Sequence, residues 1–125
     1  LLQIEEFHTN LKLNSYKRIK QDHTKANLWR KRSRVDGEID FRMSSKSIHN
    51  LVRGLTKPYV GAHIVNQECD VKVWKTKVKT TNFKNIEPGK ILKIKNKKIL
   101  IKTGNGAIWL IKHDFAELPK INTYL

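Results

Sequence analysis

The chain has 125 residues, of which 38% are hydrophobic and 30% charged, and its formal net charge at pH 7 is +15. This composition excludes a wholly disordered chain and suffices for one domain, or for a small domain with an attached arm. The single cysteine, Cys69, excludes an internal disulfide, and no apolar run is long enough to form a membrane span or a signal peptide. We therefore expect a cytoplasmic protein without a membrane partner.

The positive charge has two interpretations. A net charge of +15 attracts polyanions such as nucleic acids, nucleotide phosphates or an anionic surface. Alternatively, lysine simply fills solvated positions and has no dedicated partner. Composition leaves both interpretations open.

The first predicted element is a helix in residues 1–13. Leu1, Ile4, Phe7 and Leu11 recur at helical spacing, which is typical of the last turns of an amphipathic helix. The chain starts on two leucines without a cap, so we interpret this helix as the end of a longer protein.

A basic connector is predicted for residues 14–34. This stretch shows no helical or strand period and carries eight Lys and Arg side chains against one acid, Asp22. Its aromatic residues are interleaved with the charges, as in an arm that follows phosphates and stacks on bases. Alternatively, Leu28 and Trp29 attach the connector to an adjoining domain. The candidate contacts to an anion or acceptor are Lys17, Arg18, Trp29, Arg30, Lys31, Arg32 and Arg34.

A second helix follows the turn dipeptide Asp36-Gly37. Ser44 or Ser45 is the expected N-cap, and Pro58 stops the helix near Lys57. One face carries an apolar stripe at positions i, i+3, i+4 and i+7, which consists of Ile48, Leu51, Val52 and Leu55. The opposite face is polar and is expected to point outward; it consists of Lys46, His49, Asn50, Arg53 and Lys57.

Beyond Pro58 the apolar period shortens to two, which predicts five short strands at residues 62–65, 71–78, 90–95, 98–102 and 107–112. A polar turn from Asn66 to Asp70 joins the first two, and a loop from Thr80 to Glu87 follows. Asn96-Lys97 and residues 104–106 predict two tight hairpins.

Two further predictions concern large side chains. Trp74 and Trp109 are expected in the core, the alternative being exposed platforms for stacking. The tail beyond Asp114 has no clear period and is expected to pack back through four residues, Phe115, Leu118, Ile121 and Tyr124.

Several short motifs occur together in a fixed order. They comprise Lys31-Arg32 with residues 36–40, the helix with Arg53 and residues 58–62, residues 73–75, residues 88–91 and residues 103–107. Their order resembles the K-R-x-x-x-D-G-x-I-D, I-x-x-x-x-R-x-L-x-x-P-x-x-G-A, V-W-K, P-G-x-I and T-G-x-G-x-L elements of the formyltransferase family, in its C-terminal part. That family includes methionyl-tRNA formyltransferase and the sugar N-formyltransferases.

The resemblance implies a fold and a domain boundary. The expected class is mainly β with one leading helix (α+β), as a small oligonucleotide-binding-like antiparallel barrel after an extended linker. Residues 1–39 would be the end of a catalytic domain and its linker, and residues 40–125 the C-terminal barrel domain. Arg53 matches the arginine of the family's helix motif, where we expect it to bind a carboxylate or carbonyls and to fix the helix to the barrel.

The resemblance also implies a reaction, but not one that this segment performs. The family transfers a formyl group from 10-formyltetrahydrofolate to an amine, using an Asn-x-His pair and a later Asp. None of the five histidines here follows an asparagine at that spacing, and the H-x-S-L-L-P signature is missing. We expect no catalytic residue, no metal site and no bound cofactor in this segment, and a structural role for Cys69. Such an accessory domain would position an acceptor or form a homodimer.

The acceptor has three interpretations. Gln21-Asp22-His23 and residues 55–62 resemble the sugar-nucleotide enzymes of the family more than the tRNA enzyme, and this resemblance implies an amino-sugar nucleotide, which is the main prediction. A basic arm attached to a basic barrel favours tRNA, as in the C-terminal domain of a methionyl-tRNA formyltransferase. The third interpretation is a free-standing RNA-binding module.

Overall fold

The computed structural model describes residues 2–65, 69–80 and 83–125. They fall into two compact units, Leu1–Lys31 and Arg32–Leu125. No helix in the described ranges is long and apolar enough to cross a membrane.

The first unit consists of a helix and a connector. The helix α1 spans Leu2–Lys12, as the apolar spacing predicts, and its Ile4, Phe7 and Leu11 side chains are exposed. From Ser15 to Lys31 the chain forms no further helix or strand except a 3₁₀ turn at His23–Lys25. Asp22 caps this turn, since its Oδ1 accepts a hydrogen bond from the Thr24 N–H at 3.0 Å.

The second unit begins with a 3₁₀ turn at Arg34–Gly37, which contains the predicted turn dipeptide. Ser33 and Asp36 form a reciprocal capping box at its start. After the turn, the Ile39 N–H donates to the His63 carbonyl at 2.8 Å. This bond fixes the incoming chain against the first strand of the sheet.

The helix α2 spans Ser45–Leu55 and ends two residues before the predicted position. Ser44 is the N-cap, and its Oγ accepts from the Ser47 N–H at 3.0 Å. The Ser45 N–H, which the helix itself cannot satisfy, donates to Asn105 Oδ1 at 3.0 Å. A turn of the sheet therefore completes the N-terminus of the helix.

The sheet has five antiparallel strands in the order β1-β2-β5-β4-β3, and the predicted turns at 96–97 and 104–105 join its last three strands. The strands span Ala62–Val65, Asp70–Lys79, Ile91–Lys95, Lys98–Thr103 and Gly106–His113, in chain order from β1 to β5. The α+β class, with one helix leading into an antiparallel sheet, is thus confirmed. The described strands pair as an open sheet with β1 and β3 at its edges, so closure into an oligonucleotide-binding-like barrel stays a prediction. Residues 66–68 of the predicted turn and residues 81–82 of the predicted loop lie outside the described residues.

One hydrophobic core joins α2 to the sheet. Ile48 and Val52 of the helix are 0% and 1% exposed and pack against the inner face of the strands. That face is provided mainly by isoleucines, namely Ile64, Ile91, Ile99, Ile101 and Ile108, together with Val73 and Leu110. Leu51 and Leu55 are only partly buried and lie at the edge of this cluster.

The C-terminal tail packs back, but mainly through its backbone. Asn122 donates to the Ile91 carbonyl at 3.0 Å, and Ile91 donates to the Thr123 carbonyl at 2.9 Å. Of the four predicted side chains only Phe115 packs against the core, whereas the prediction is wrong for the other three, Leu118, Ile121 and Tyr124, which are exposed. The tail is held by hydrogen bonds to the open edge of β3, for which side-chain periodicity gives no signal.

Candidate functional site

The seven predicted site residues are divided between the two units. Lys17, Arg18, Trp29, Arg30 and Lys31 belong to the first unit, and Arg32 and Arg34 to the second. All seven are exposed. The predicted basic residues therefore belong to both units.

In the first unit, the aromatic residues of the connector are open to solvent. Trp29 is 80% exposed, and its Nε1 donates to Asn27 Oδ1 at 3.1 Å. The Arg18 guanidinium donates to the Tyr16 hydroxyl at 3.0 Å and lies 5.4 Å from the centroid of that ring. Leu28 is exposed as well, so neither Leu28 nor Trp29 is packed within its own unit.

In the second unit, carboxylates engage both predicted arginines. Arg34 binds Asp70 in a bidentate pair, with its Nε 2.6 Å from Oδ2 and its Nη2 on Oδ1. Arg32 Nη1 lies 3.4 Å from Asp36 Oδ1. The hydrogen bond from Arg34 holds the pKa of the Asp70 carboxyl below its usual value. Part of the Arg34 charge therefore serves the ion pair that holds residues 33–37 against β2.

A buried histidine lies beside this ion pair. His63 is 1% exposed; its Nε2 has no hydrogen-bond partner and lies 3.8 Å from Asp70 Oδ2. Burial lowers the pKa of His63, and the positive charges of Lys72 and Arg34 lower it further, while Asp70 opposes the shift. His63 is consequently neutral at pH 7. Sequence reasoning missed it because a single histidine in a four-residue strand carries no motif.

A groove of about 900 Å³ lies next to these residues, between α2 and the turn that follows it. Leu51, Leu55, Tyr59 and Val60 provide apolar walls. Charged or polar side chains complete the lining, among them Arg32, Asp36, His63 and Lys72. The lining of this groove therefore combines apolar side chains with positive and negative ones.

Two residues on the polar face of α2 do not have the positions or contacts that were predicted for them. His49 does not point outward: it is partly buried, and its Nδ1 lies 2.9 Å from Thr76 Oγ1 of β2. Arg53 does not fix the helix to the sheet, because it is exposed and its Nε donates to Asn50 of the same helix at 2.9 Å. His49 therefore provides the link that was expected from Arg53.

The prediction of two core tryptophans is wrong. Trp74 and Trp109 are both half-buried and lie outside the core cluster. Trp74 packs against Gly61, where a Cβ would come within 2.9 Å of the ring, and its Nε1 donates to Asp114 Oδ2 at 2.9 Å. Isoleucines fill the inner face instead, so the tryptophans occupy the opposite side of their strands.

The described residues include histidine, cysteine and carboxylate side chains, the groups that most often hold transition metals. No three His, Cys, Asp or Glu side chains converge among them to hold a metal ion. Cys69 is a free, exposed thiol that directly precedes Asp70. His113 is the last residue of β5, and its Nε2 lies 2.8 Å from the Lys97 carbonyl oxygen.

Comparison with known proteins decides the family. The model of the formyl transferase C-terminal domain matches residues 31–123. The chain belongs to the formyltransferase family. The matched residues cover the second unit almost completely, together with Lys31.

Several relatives of this formyltransferase domain carry the name methionyl-tRNA formyltransferase. Methionyl-tRNA formyltransferase of Ruminiclostridium cellulolyticum is 34% identical over 94 residues, which is 71% of this chain and 29% of the relative. The proteins of that name from a Sulfurihydrogenibium species and from Halothermothrix orenii are 35% and 34% identical, over 82% and 83% of this chain and 33% and 34% of their own lengths. The chain thus spans about a third of the curated relatives it matches.

Solved structures support the fold of this formyltransferase domain. Variants of HypX from Aquifex aeolicus superpose with TM-scores of 0.57 to 0.59 at 18–19% identity. The similarity covers 88% of this chain and 19–20% of HypX. At this identity the likeness concerns the fold alone.

Proposed function

We propose that this chain is the C-terminal accessory part of a 10-formyltetrahydrofolate-dependent N-formyltransferase whose acceptor is a tRNA. The observation that carries the proposal is the sequence similarity to proteins named methionyl-tRNA formyltransferase. The alignments cover 71% to 83% of this chain. The alternative prediction of a tRNA acceptor is therefore preferred to the main prediction of an amino-sugar nucleotide, which the names of these relatives do not support. Asp22, part of the run that favoured a sugar acceptor, has a local role as a cap.

The charge of the chain supports a polyanionic acceptor. Residues 1–31 contain seven Lys and Arg against three Asp and Glu, which leaves +11 of the net +15 for residues 32–125. Both units therefore attract an RNA backbone. In this proposal formyl transfer takes place on residues outside the chain, 10-formyltetrahydrofolate binds there, and the chain contacts the body of the tRNA. A homodimer through this domain stays a prediction.

Binding of RNA to the 125-residue chain tests the proposal. We expect an initiator tRNA transcript to bind more tightly than random RNA of equal length, and to stay bound near physiological salt. The combined variant Lys17→Ala, Arg18→Ala, Arg30→Ala, Lys31→Ala should weaken binding and lower the salt slope by about 0.7 to 0.9 for each phosphate that these side chains neutralise. Arg34 is left unchanged in this variant because its removal would leave Asp70 without its partner.

The control removes the same charge elsewhere. Lys46, Lys84, Lys112 and Lys120 are exposed and belong to the second unit, so changing them to Ala lowers the net charge equally. Equal losses of affinity in the two quadruple variants would show that the connector contributes only through net charge. Binding of an amino-sugar nucleotide by the chain, with no preference for tRNA, would overturn the proposal.

A further inference from the structure

Trp109 lies on the outer face of the sheet. Its neighbours in β5, Ile108 and Leu110, are completely buried on the inner face, so alternation directs Trp109 to the other side. In the sheet register Lys77 of β2 lies opposite Trp109, and Lys95 of β3 lies opposite Lys98 of β4. Three different strands thus contribute lysines to the surroundings of one indole.

These residues line one shallow depression. It has a volume of about 370 Å³ and is formed by Lys77, Lys95, Asn96, Lys98, Trp109 and Ile111. Asn96 and Lys97, which form the hairpin turn at its margin, both have positive φ angles, 49° and 59°. This tight turn holds Lys95 and Lys98 side by side at the end of their strands.

The depression is basic and lacks a compensating acid. Among the residues of strands β2 to β5 the only acid is Asp70, at the start of β2, and it is bound to Arg34. The described ion pairs include none of the three lysines Lys77, Lys95 and Lys98. An ammonium is a compact, rotatable charge that suits phosphate oxygens, so this surface is complementary to phosphates.

Trp109 differs from Trp74 in what covers it. In Trp74 the Nε1 is bound to Asp114 and the ring carries the Lys57 ammonium 5.4 Å from its centroid. Trp109 Nε1 has no partner among the described residues and is not enclosed, so it faces solvent. The half-buried indole is held by its strand and lines the open depression, where a base can reach it.

We propose that this depression binds an RNA segment with an unpaired base, which stacks on Trp109 while Lys77, Lys95 and Lys98 contact the adjoining phosphates. The choice of RNA as the polymer rests on the proposed function. A base within a duplex has both faces covered by its neighbours, whereas an unpaired base offers a free face to an indole. The site therefore selects single-stranded positions of the acceptor rather than its helical stems.

Two RNA probes of similar charge test this inference: a short blunt-ended duplex, and the same duplex with a single-stranded overhang. Trp109→Ala in the 125-residue chain should weaken binding of the overhang probe by about 5- to 150-fold, as expected for the removal of one stacking interaction, and leave blunt-duplex binding unchanged. Trp109→Phe should retain most of the affinity. Thermal unfolding of each variant, with Trp109→Leu as an apolar substitute that lacks an aromatic ring, verifies that the sheet is folded.

The lysines are tested with a matched control. Changing Lys77, Lys95 and Lys98 together to Gln should lower the salt slope for the overhang probe by about 2, at about 0.7 for each phosphate neutralised. Changing Lys46, Lys84 and Lys120 to Gln removes the same charge away from the depression and should leave the slope nearly unchanged.

Failure of this inference is distinguishable from failure of the proposed function. If folded Trp109→Ala binds the overhang probe like the unaltered chain, or loses affinity for both probes equally, the inference is overturned, even where a preference for tRNA remains. If the overhang probe depends on Trp109 but tRNA is not preferred to random RNA, the proposed function is overturned and the inference is supported.

Discussion

His63 and Asp70 lie 3.8 Å apart, and the protein keeps the first neutral and the second charged. Asp70 is held ionised by the hydrogen bonds from Arg34, and its pKa is lowered. His63 is held neutral because burial lowers its pKa, although Asp70 and Glu38 act in the opposite direction. The positive charges of Arg34 and Lys72 face the same imidazole. His63 lines the groove, and the effect of its burial on its pKa outweighs the opposite effect of the Asp70 carboxylate.

The lowered pKa of His63 predicts a loss of stability under mildly acidic conditions. The unfolded chain protonates this histidine near its ordinary value of 6.5, whereas the folded chain protonates it only at lower pH. The stabilisation is therefore fully present above pH 6.5 and is lost as pH falls through the folded pKa. The contribution of Asp70 is lost separately, at pH values below its ordinary pKa of 3.8.

The measurement is the thermal midpoint of the chain between about pH 8 and pH 5. We expect the midpoint of the unaltered chain to fall over this range and that of His63→Phe to fall less. His8→Gln is the control, because His8 is exposed in the first unit. Parallel curves for the unaltered chain and His63→Phe would show that another group causes the loss.

At the scale of elements, α2 and the sheet determine each other's position. The Ser45 N–H donates to Asn105, 60 positions away, and His49 is bonded to Thr76, 27 positions away. The apolar spacing predicts that Ile48, Leu51, Val52 and Leu55 share a face. It does not show that Ile48 and Val52 form the centre and the leucines the margin, because that depends on these long-range contacts.

This distinction predicts unequal effects within one stripe. Ile48→Ala removes a fully buried side chain and should lower the free energy of unfolding by about 2 to 5 kcal/mol. Leu51→Ala should cost less than about 2 kcal/mol because its side chain is only partly buried. Lys46→Ala on the exposed side should change stability by about 0.5 kcal/mol at most. Urea unfolding of the three variants measures the order, and a larger effect for Leu51→Ala than for Ile48→Ala would place the centre of the helix packing elsewhere.

At the scale of the whole molecule, local patterns predict the elements well and their partners poorly. Period-two apolar runs and Asn- or Gly-containing turns locate all five strands to within two residues, because both are properties of neighbouring positions. The prediction that Trp74 and Trp109 lie in the core came from the size of their side chains, and size does not show which face of a strand is covered. The Arg34–Asp70 pair joins residues 36 positions apart, so no local pattern indicates it.

The division of the chain into two units leads to a prediction about folding and binding together. All the buried hydrophobic residues that form the described core lie between Ile39 and Leu110, within the second unit. A shortened chain of residues 32–125 should therefore unfold cooperatively, with a thermal midpoint close to that of the whole chain.

The shortened chain keeps a net charge of +11 and the depression around Trp109, so it should still bind the overhang RNA probe in a Trp109-dependent manner. Its salt slope should be smaller than that of the whole chain, by about 0.7 to 0.9 for each phosphate that residues 17–31 neutralise. A folded shortened chain that no longer binds RNA at low salt would instead assign the interface to the connector, and loss of cooperative unfolding would show that the first unit stabilises the second.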